Sequence, residues 1–254
     1  MGSIRIIALP GLPLFAPGDD LTGAIAEALE RAELALADGD VLVAAQKIIS
    51  KVEGRAVVLA DVAPTPAALE LAERTGKYPA LAQLILDESQ VIMRARQGVV
   101  IARHLLGHVA ANAGIDASNV ADADGETVLL WPVDPDASAR RLRRQLESRF
   151  GVKIAVVISD SLGRAWRMGT IGTAIGASGL GTLIDRRGET DLFGRVLQAT
   201  LVARADELAA AASLVIGEAA EGTPVALIRG ASYIRDETQG IGPTLRPLNE
   251  DMFT

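Results

Sequence analysis

Cysteine is absent from the 254 residues, which excludes disulfides, thiolate metal ligands and a cysteine nucleophile. Histidine occurs only as His104 and His108, too few for a three-histidine zinc centre in one chain. Basic charge is in deficit, with 25 Lys and Arg against 32 Asp and Glu and a formal net charge of −7. No excess is left to neutralise a nucleic-acid backbone, so nucleic acid is not an expected partner. Long apolar runs are lacking too: an uncharged stretch such as Leu208 to Gly217 is far too short to span a bilayer. The start, MGSIRIIALP, lacks the charged, apolar and cleavage regions of a signal peptide. It also lacks the myristoylation pattern, because Ile6 stands where Ser or Thr is required. The expectation is a cytoplasmic protein without a membrane partner. Common chemical signatures are missing as well: there is no GxxxxGK[ST], no GxSxG, and no GxGxxG following a strand.

Apolar residues make up 49% of the chain, enough for a sizeable core. IRIIAL at 4–9 reads as a short buried strand, followed by a Pro- and Gly-rich turn. Leu21, Ile25 and Leu29 mark one stripe of a helix over 21–36 with Asp20 as its N-cap. VLVAAQKIISK at 41–51 reads as a strand. Helices are expected at 65–75 and 78–88, two strands within 90–109, loop over 110–126 and a strand at 128–133. An exposed, arginine-rich helix is expected over 136–149 and a buried strand over 153–159. Residues 192–214 give the clearest helical period, with Phe193, Val196, Leu197, Thr200, Leu201 and Leu208 on the buried face. VALIRG is the last strand. Elements mix without strict alternation, and no repeat or linker interrupts them, so the expectation is a single α+β unit over 1–254.

Four segments place polar groups beside buried strands. In VISDS an apolar strand delivers Asp160 and Ser161, oxygen donors of the kind that hold hard cations. A turn cap is the more ordinary role for Asp160. In NAGIDASN, Asp116 and Asn119 share a face if the segment is helical; an Asx-rich turn is the commoner explanation. Lys47 and Lys51, two of the few lysines, would lie on one face of the 41–51 strand and suit a polyphosphate or a solvated face. GEAAEGT at 217–223 is a glycine-bearing turn that can present backbone N–H groups to phosphates, or simply connect a helix to a strand.

Six blocks occur in order: PGLPLFAPGDDL, DGDVLVAAQKIISKVEGR, ANAGIDASN, SDSLGRAWRMGTIGTAIGASGL, DRRGETDLFGR and EGTPVALIRG. Together, over about residues 8–231, they resemble the coenzyme F420-0:L-glutamate ligase family, also called the F420 γ-glutamyl ligases. The chain looks like the form without a fused nitroreductase-like domain. The resemblance implies two intertwined mixed α/β subdomains and a homodimer. It implies a GTP-dependent ligase that joins the carboxylate of coenzyme F420-0 to L-glutamate through an acyl phosphate, with further γ-glutamyl additions as a possible extension. It also implies a pair of Mg²⁺ or Mn²⁺ ions, with K⁺ as a further candidate.

Residue by residue, the resemblance puts Asp116, Asp160 and Ser161 on metal-binding positions, and Glu218 where some members carry a metal-binding Gln. Nucleotide contacts fall on Leu12, Pro13, Leu14 and Phe15, on Gln46, Lys47 and Lys51, on Asn119, and on Ile216, Gly217, Glu218, Ala219, Ala220, Glu221, Gly222 and Thr223. Lys51, Asp116 and Asp160 are the residues implied in catalysis. Arg164, Arg167, Arg186, Arg187 and Arg195 flank these blocks and are candidates for substrate phosphate and carboxylate groups. A related carboxylate–amine ligase, or a non-catalytic binding protein on the same scaffold, would carry many of the same residues.

Overall fold

The computed structural model describes residues 2–118 and 127–251. Its centre is a five-stranded sheet in the order β1 (Arg5–Ala8), β12 (Val225–Arg229), β2 (Val41–Ala45), β8 (Ala155–Gly163) and β9 (Thr170–Ser178). β2 and β8 run parallel, and the other neighbours are antiparallel. The unbroken apolar runs in β2 and β8 follow from burial on both faces. Leu42, Ala44, Val156 and Ile158 face helices α1 (Leu21–Arg31) and α5 (Pro135–Phe150), where Ile25, Leu29, Leu142 and Leu146 meet them. Val41, Val43, Ala155 and Val157 point the other way, onto Leu208, Ala209 and Ala212 of α6 (Arg204–Ile216). Each such Leu, Ile or Val contributes about 1.5–3 kcal/mol by leaving water.

A second layer carries its own core. Helices α3 (Pro66–Thr75) and α4 (Pro79–Asp87) cover the antiparallel sheet β4 (Ser89–Arg96), β5 (Val99–His104) and β6 (Val109–Ala111). The short strands β3 (Ala56–Val58) and β7 (Thr127–Leu129) pair with each other, as do β10 (Leu183–Asp185) and β11 (Leu201–Ala203). The architecture is α+β, as the element pattern implied.

Asp20 caps α1 as expected, its side chain accepting from Gly23 N at 2.9 Å, although the helix stops at Arg31. Three expectations need correction. The strand at 41–51 ends at Ala45, and α2 (Gln46–Val52) takes over. Ile48, Ile49 and Val52 recur at helical spacing and pack on the core, so burial favours the helix. The helix expected over 192–214 begins only at Arg204. Upstream, Asp191 Oδ1 accepts from Phe193 N and Arg195 N, and Gly194 adopts φ +79°, so the chain turns back in a hairpin. Phe193, Val196, Thr200 and Leu201 are therefore exposed instead of forming a buried face. Finally, the arginine-rich helix α5 is not wholly a surface element: Arg143 is buried, held by Ser178 Oγ at 3.0 Å and Glu147 at 3.0 Å.

Glycines at 172 and 176 serve a strand, β9, because helices press against it. A Cβ at Gly172 would lie 2.4 Å from the Ala209 carbonyl oxygen of α6, and one at Gly176 would lie 2.5 Å from Pro135 Cβ of α5.

Candidate active site

β2 ends at Ala45, which pairs with Ser159 in the middle of β8, while β8 runs on to Gly163. Residues just past the end of β2, with those beside them in β8, line one cavity of about 390 Å³. From β2 come Gln46, Lys47 and Lys51 of α2; from β8 come Asp160 and Ser161. The loop residues Leu12 to Phe15 form one wall, and the turn Ile216 to Thr223 forms another. Segments far apart in the chain are thus brought together where β2 stops beside β8. Lys47 and Lys51 do share a face, through the i, i+4 spacing of a helix and not the alternation of a strand.

Asp160 is fixed from two sides. Trp131 Nε1 donates to its Oδ2 at 2.8 Å, and Ser161 N donates to its Oδ1 at 2.9 Å. Burial pushes the Asp160 carboxyl above the usual range, and the nearby Asp116 charge adds to this, against the lowering effects of both hydrogen bonds and Lys47. Asp116 is not in the cavity lining but joins it through an ion pair with Lys47 Nζ. Burial opposes its ionisation, yet Lys47 and Ser118 together hold its carboxyl below the usual range. Lys51 is pushed down by burial first and by Lys47 second. Ser161 Oγ donates to Glu218 Oε1 at 2.8 Å, linking β8 to the turn that follows α6.

The donors Asp116, Asp160, Ser161 and Glu218 are all oxygen, the set hard divalent cations prefer. Among the described residues no three carboxylates or imidazoles form a ready-made metal cluster. Such donors would suit a hard divalent cation held by one or two carboxylates.

Other expected contacts are placed differently. Gln46 lines the cavity but its side chain is buried, with Nε2 donating to Ser50 Oγ at 2.6 Å and Oε1 unpartnered. Asn119 lies outside the described residues. Of the five flanking arginines none lines this cavity. Arg186 pairs with Glu189 at 2.8 Å and Arg187 with Asp185 at 2.6 Å, both within the β10–β11 arm. Sequence reading missed Trp131, which it placed only in a strand. A tryptophan beside a proline gave no sign that its N–H would reach a carboxylate on β8.

This arrangement defines a class: an α+β protein whose cavity sets lysines just past the end of one strand beside a carboxylate on its neighbour. The model of the F420-0:γ-glutamyl ligase family matches residues 11–230. Similar proteins include the coenzyme F420:L-glutamate ligase of Methanothermobacter thermautotrophicus, 46% identical over 98% of each chain. That of Methanopyrus kandleri is 46% identical over 91% of this chain and 89% of its own, and that of Methanocaldococcus jannaschii 41% identical over 98% and 96%. The chain belongs to the F420-0:γ-glutamyl ligase family.

Proposed function

We propose that this chain is a GTP- and divalent-metal-dependent ligase that joins the carboxylate of coenzyme F420-0 to L-glutamate. The observation that carries the reading is the convergence of Lys47, Lys51, Asp160 and the 216–223 turn in one cavity, in a chain similar along its length to ligases of that name. A carboxylate is a poor acyl donor, so it must first be activated. A carboxylate oxygen attacks the γ-phosphorus, the bond to the β-phosphate oxygen breaks, and GDP leaves. The glutamate amine then attacks the acyl carbon, the C–O bond to phosphate breaks, and the nitrogen loses a proton.

In this reading Lys51 and Lys47 neutralise the phosphates, and Leu12 to Phe15, Gln46, Asn119 and the 216–223 turn surround the nucleotide. Asp116, Asp160, Ser161 and Glu218 would hold the cations, which supply charge neutralisation at the phosphates when bound. Trp131 and the Ser161 N–H orient Asp160.

The same reading includes a homodimer. Trp166 is 89% exposed, Met168 98%, Leu192 99% and Phe193 89%, an apolar surface on two projecting loops that a second copy would cover. Light scattering of the purified protein, and of a Phe193→Glu variant, checks that part. No helix among the described residues is long and apolar enough to cross a membrane, and the reading keeps the cytoplasmic location.

The central test incubates the protein with the deazaflavin precursor, L-glutamate, GTP and Mg²⁺ or Mn²⁺, with products read by mass spectrometry. Glutamyl increments that require GTP and metal are expected, and Asp160→Ala should lose them while keeping its fold. ATP replacing GTP without loss would overturn the nucleotide assignment. Unchanged precursor, with an authentic ligase active in parallel, would leave only the scaffold shared.

A further inference from the structure

The turn between α6 and β12 forms one wall of the cavity. Glycines with positive φ bound it, Gly217 at +78° and Gly222 at +70°. Gly217 also ends α6, its N–H donating to the Ser213 carbonyl at 3.1 Å. Between the two glycines, the side chain of Glu221 folds back over its own turn. Its Oε2 accepts from Ala219 N at 2.8 Å. A Cβ at Gly217 would stand 2.5 Å from that same oxygen, so the carboxylate fills the space that a side chain at 217 would take.

The groups that hold this carboxylate are backbone amides. The Ala219 N–H, followed by that of Glu221 itself, keeps the Glu221 carboxyl below the usual range, and the Glu218 N–H adds to this. Successive backbone N–H groups in a turn form anion-binding concavities, phosphate sites among them. Residues 218–222 are exposed, so these amides are open to a ligand. Lys47 and Lys51 line the same cavity, and their charge suits a polyanion.

A direct contact between the Glu221 carboxylate and a phosphate would be repulsive. The side chain and the backbone of this turn therefore act in opposite senses. The N–H groups attract an oxyanion, and the side chain competes for them from within the chain. Tethering gives that carboxylate a high effective concentration at the cradle. A ligand that needs the cradle binds only the fraction of molecules in which it is open, and its apparent affinity falls by that fraction.

We propose that Glu221 is a built-in competitor: its carboxylate occupies the anion cradle of residues 218–221 in the ligand-free chain and swings out before a phosphate group of the ligand enters. A ligand that brings several phosphates also meets Lys47 and Lys51 and overcomes the competition. A lone phosphate or carboxylate does not. Taking the polyphosphate ligand to be GTP rests on the ligase reading.

The probe is inorganic tripolyphosphate, titrated calorimetrically into the full chain without divalent cations, so that neither a base nor the metal positions enter. It should bind about fivefold more tightly to Glu221→Ala than to the parent. Glu221→Asp keeps the charge and shortens its reach by one methylene, and it should show most of the same gain. A gain in Glu221→Ala with none in Glu221→Asp would mean simple charge repulsion and overturn the proposal. Parental or weaker binding in both variants, or no binding to any of the three proteins, would overturn it as well. Glutamyl transfer is scored separately. Tighter tripolyphosphate binding by both variants, in a chain that forms no glutamyl products, keeps the competitor and removes the ligase reading. Glutamyl products from a chain whose variants bind like the parent do the reverse.

Discussion

Trp131 Nε1 donates to Asp160 Oδ2 at 2.8 Å, so a core indole sets the direction of a cavity carboxylate. The ring is itself held on several sides. Its centroid lies 4.8 Å from that of His104 and 5.6 Å from that of His108, and Gly114 passes so close that a Cβ there would sit 2.2 Å from the ring. Arg55 donates from Nε to the Trp131 carbonyl at 2.8 Å and from a terminal nitrogen to Glu88 at 3.0 Å, and Glu88 approaches His104 Nε2 at 3.3 Å. Asp160 is thereby tied to the β4–β5 layer.

Trp131→Phe keeps most of the packing and removes the donor. Its expected cost is about 1–3 kcal/mol of stability, together with weaker Mn²⁺ binding measured by calorimetry. Tryptophan emission provides a check, since the only remaining indole, Trp166, is exposed: the blue-shifted component should vanish. Unaltered Mn²⁺ affinity would mean that the hydrogen bond does not orient Asp160.

Lys47 pairs with Asp116 and also lowers the Asp160 carboxyl, so it serves two anions. Lys47→Met should therefore act in opposite directions on two ligands. Divalent cations should bind more tightly and GTP more weakly, each by about 1 kcal/mol, roughly a factor of five. Calorimetric titration with each ligand alone separates them, and a loss of both would indicate simple local damage.

His108 predicts a pH dependence with a definite sign. Its folded value of about 4 lies below the ordinary 6.5, so the unfolded chain binds the extra proton first. Stability should be fully present above pH 6.5 and fall as pH drops from 6.5 towards 4, by about 3 kcal/mol in all. Thermal unfolding from pH 4 to 8 should show this slope in the parent and its flattening in His108→Gln. Glu88, held low by His104 and Arg55 against burial, adds a loss at still lower pH, below its ordinary 4.5.

Gly172→Ala would drive a methyl into the Ala209 carbonyl. A loss of about 1–3 kcal/mol is expected as α6 is pushed away from β9. Because Gly172 also lines the cavity that holds Lys51 and Asp160, ligand binding there should weaken as well. A variant with parental melting temperature would mean that α6 yields freely.

Much of the framework could be read from local pattern. Asp20 caps α1 through its own side chain as expected, and the apolar runs of β2 and β8 mark strands buried on both faces. The errors fall where local and tertiary signals compete. Residues 41–51 look like one strand because apolar residues continue past Ala45; only packing against the core shows that Ile48 and Ile49 follow a helical period. Residues 192–203 mimic a helix by the spacing of Phe193, Val196 and Leu197, but Gly194 and Asp191 turn the chain first. The ordered blocks singled out Asp160, Lys51 and the 216–223 turn, and these do line one cavity. Trp131 was illegible, because nothing local tells which buried polar atom will find a partner across the fold.

The place of β12 has a consequence for how the chain acquires its shape. β1 pairs only with β12, and β12 also borders β2, so the first strand to be synthesised waits for almost the last. That is a high-contact-order arrangement, which folds slowly, whereas α3, α4, β4 and β5 join neighbours in sequence and can form early. Until residues 225–229 arrive, β1 and β2 present open hydrogen-bonding edges to any other nascent chain. The turn before β12 is also a wall of the cavity, so the site comes into being only when the central sheet closes.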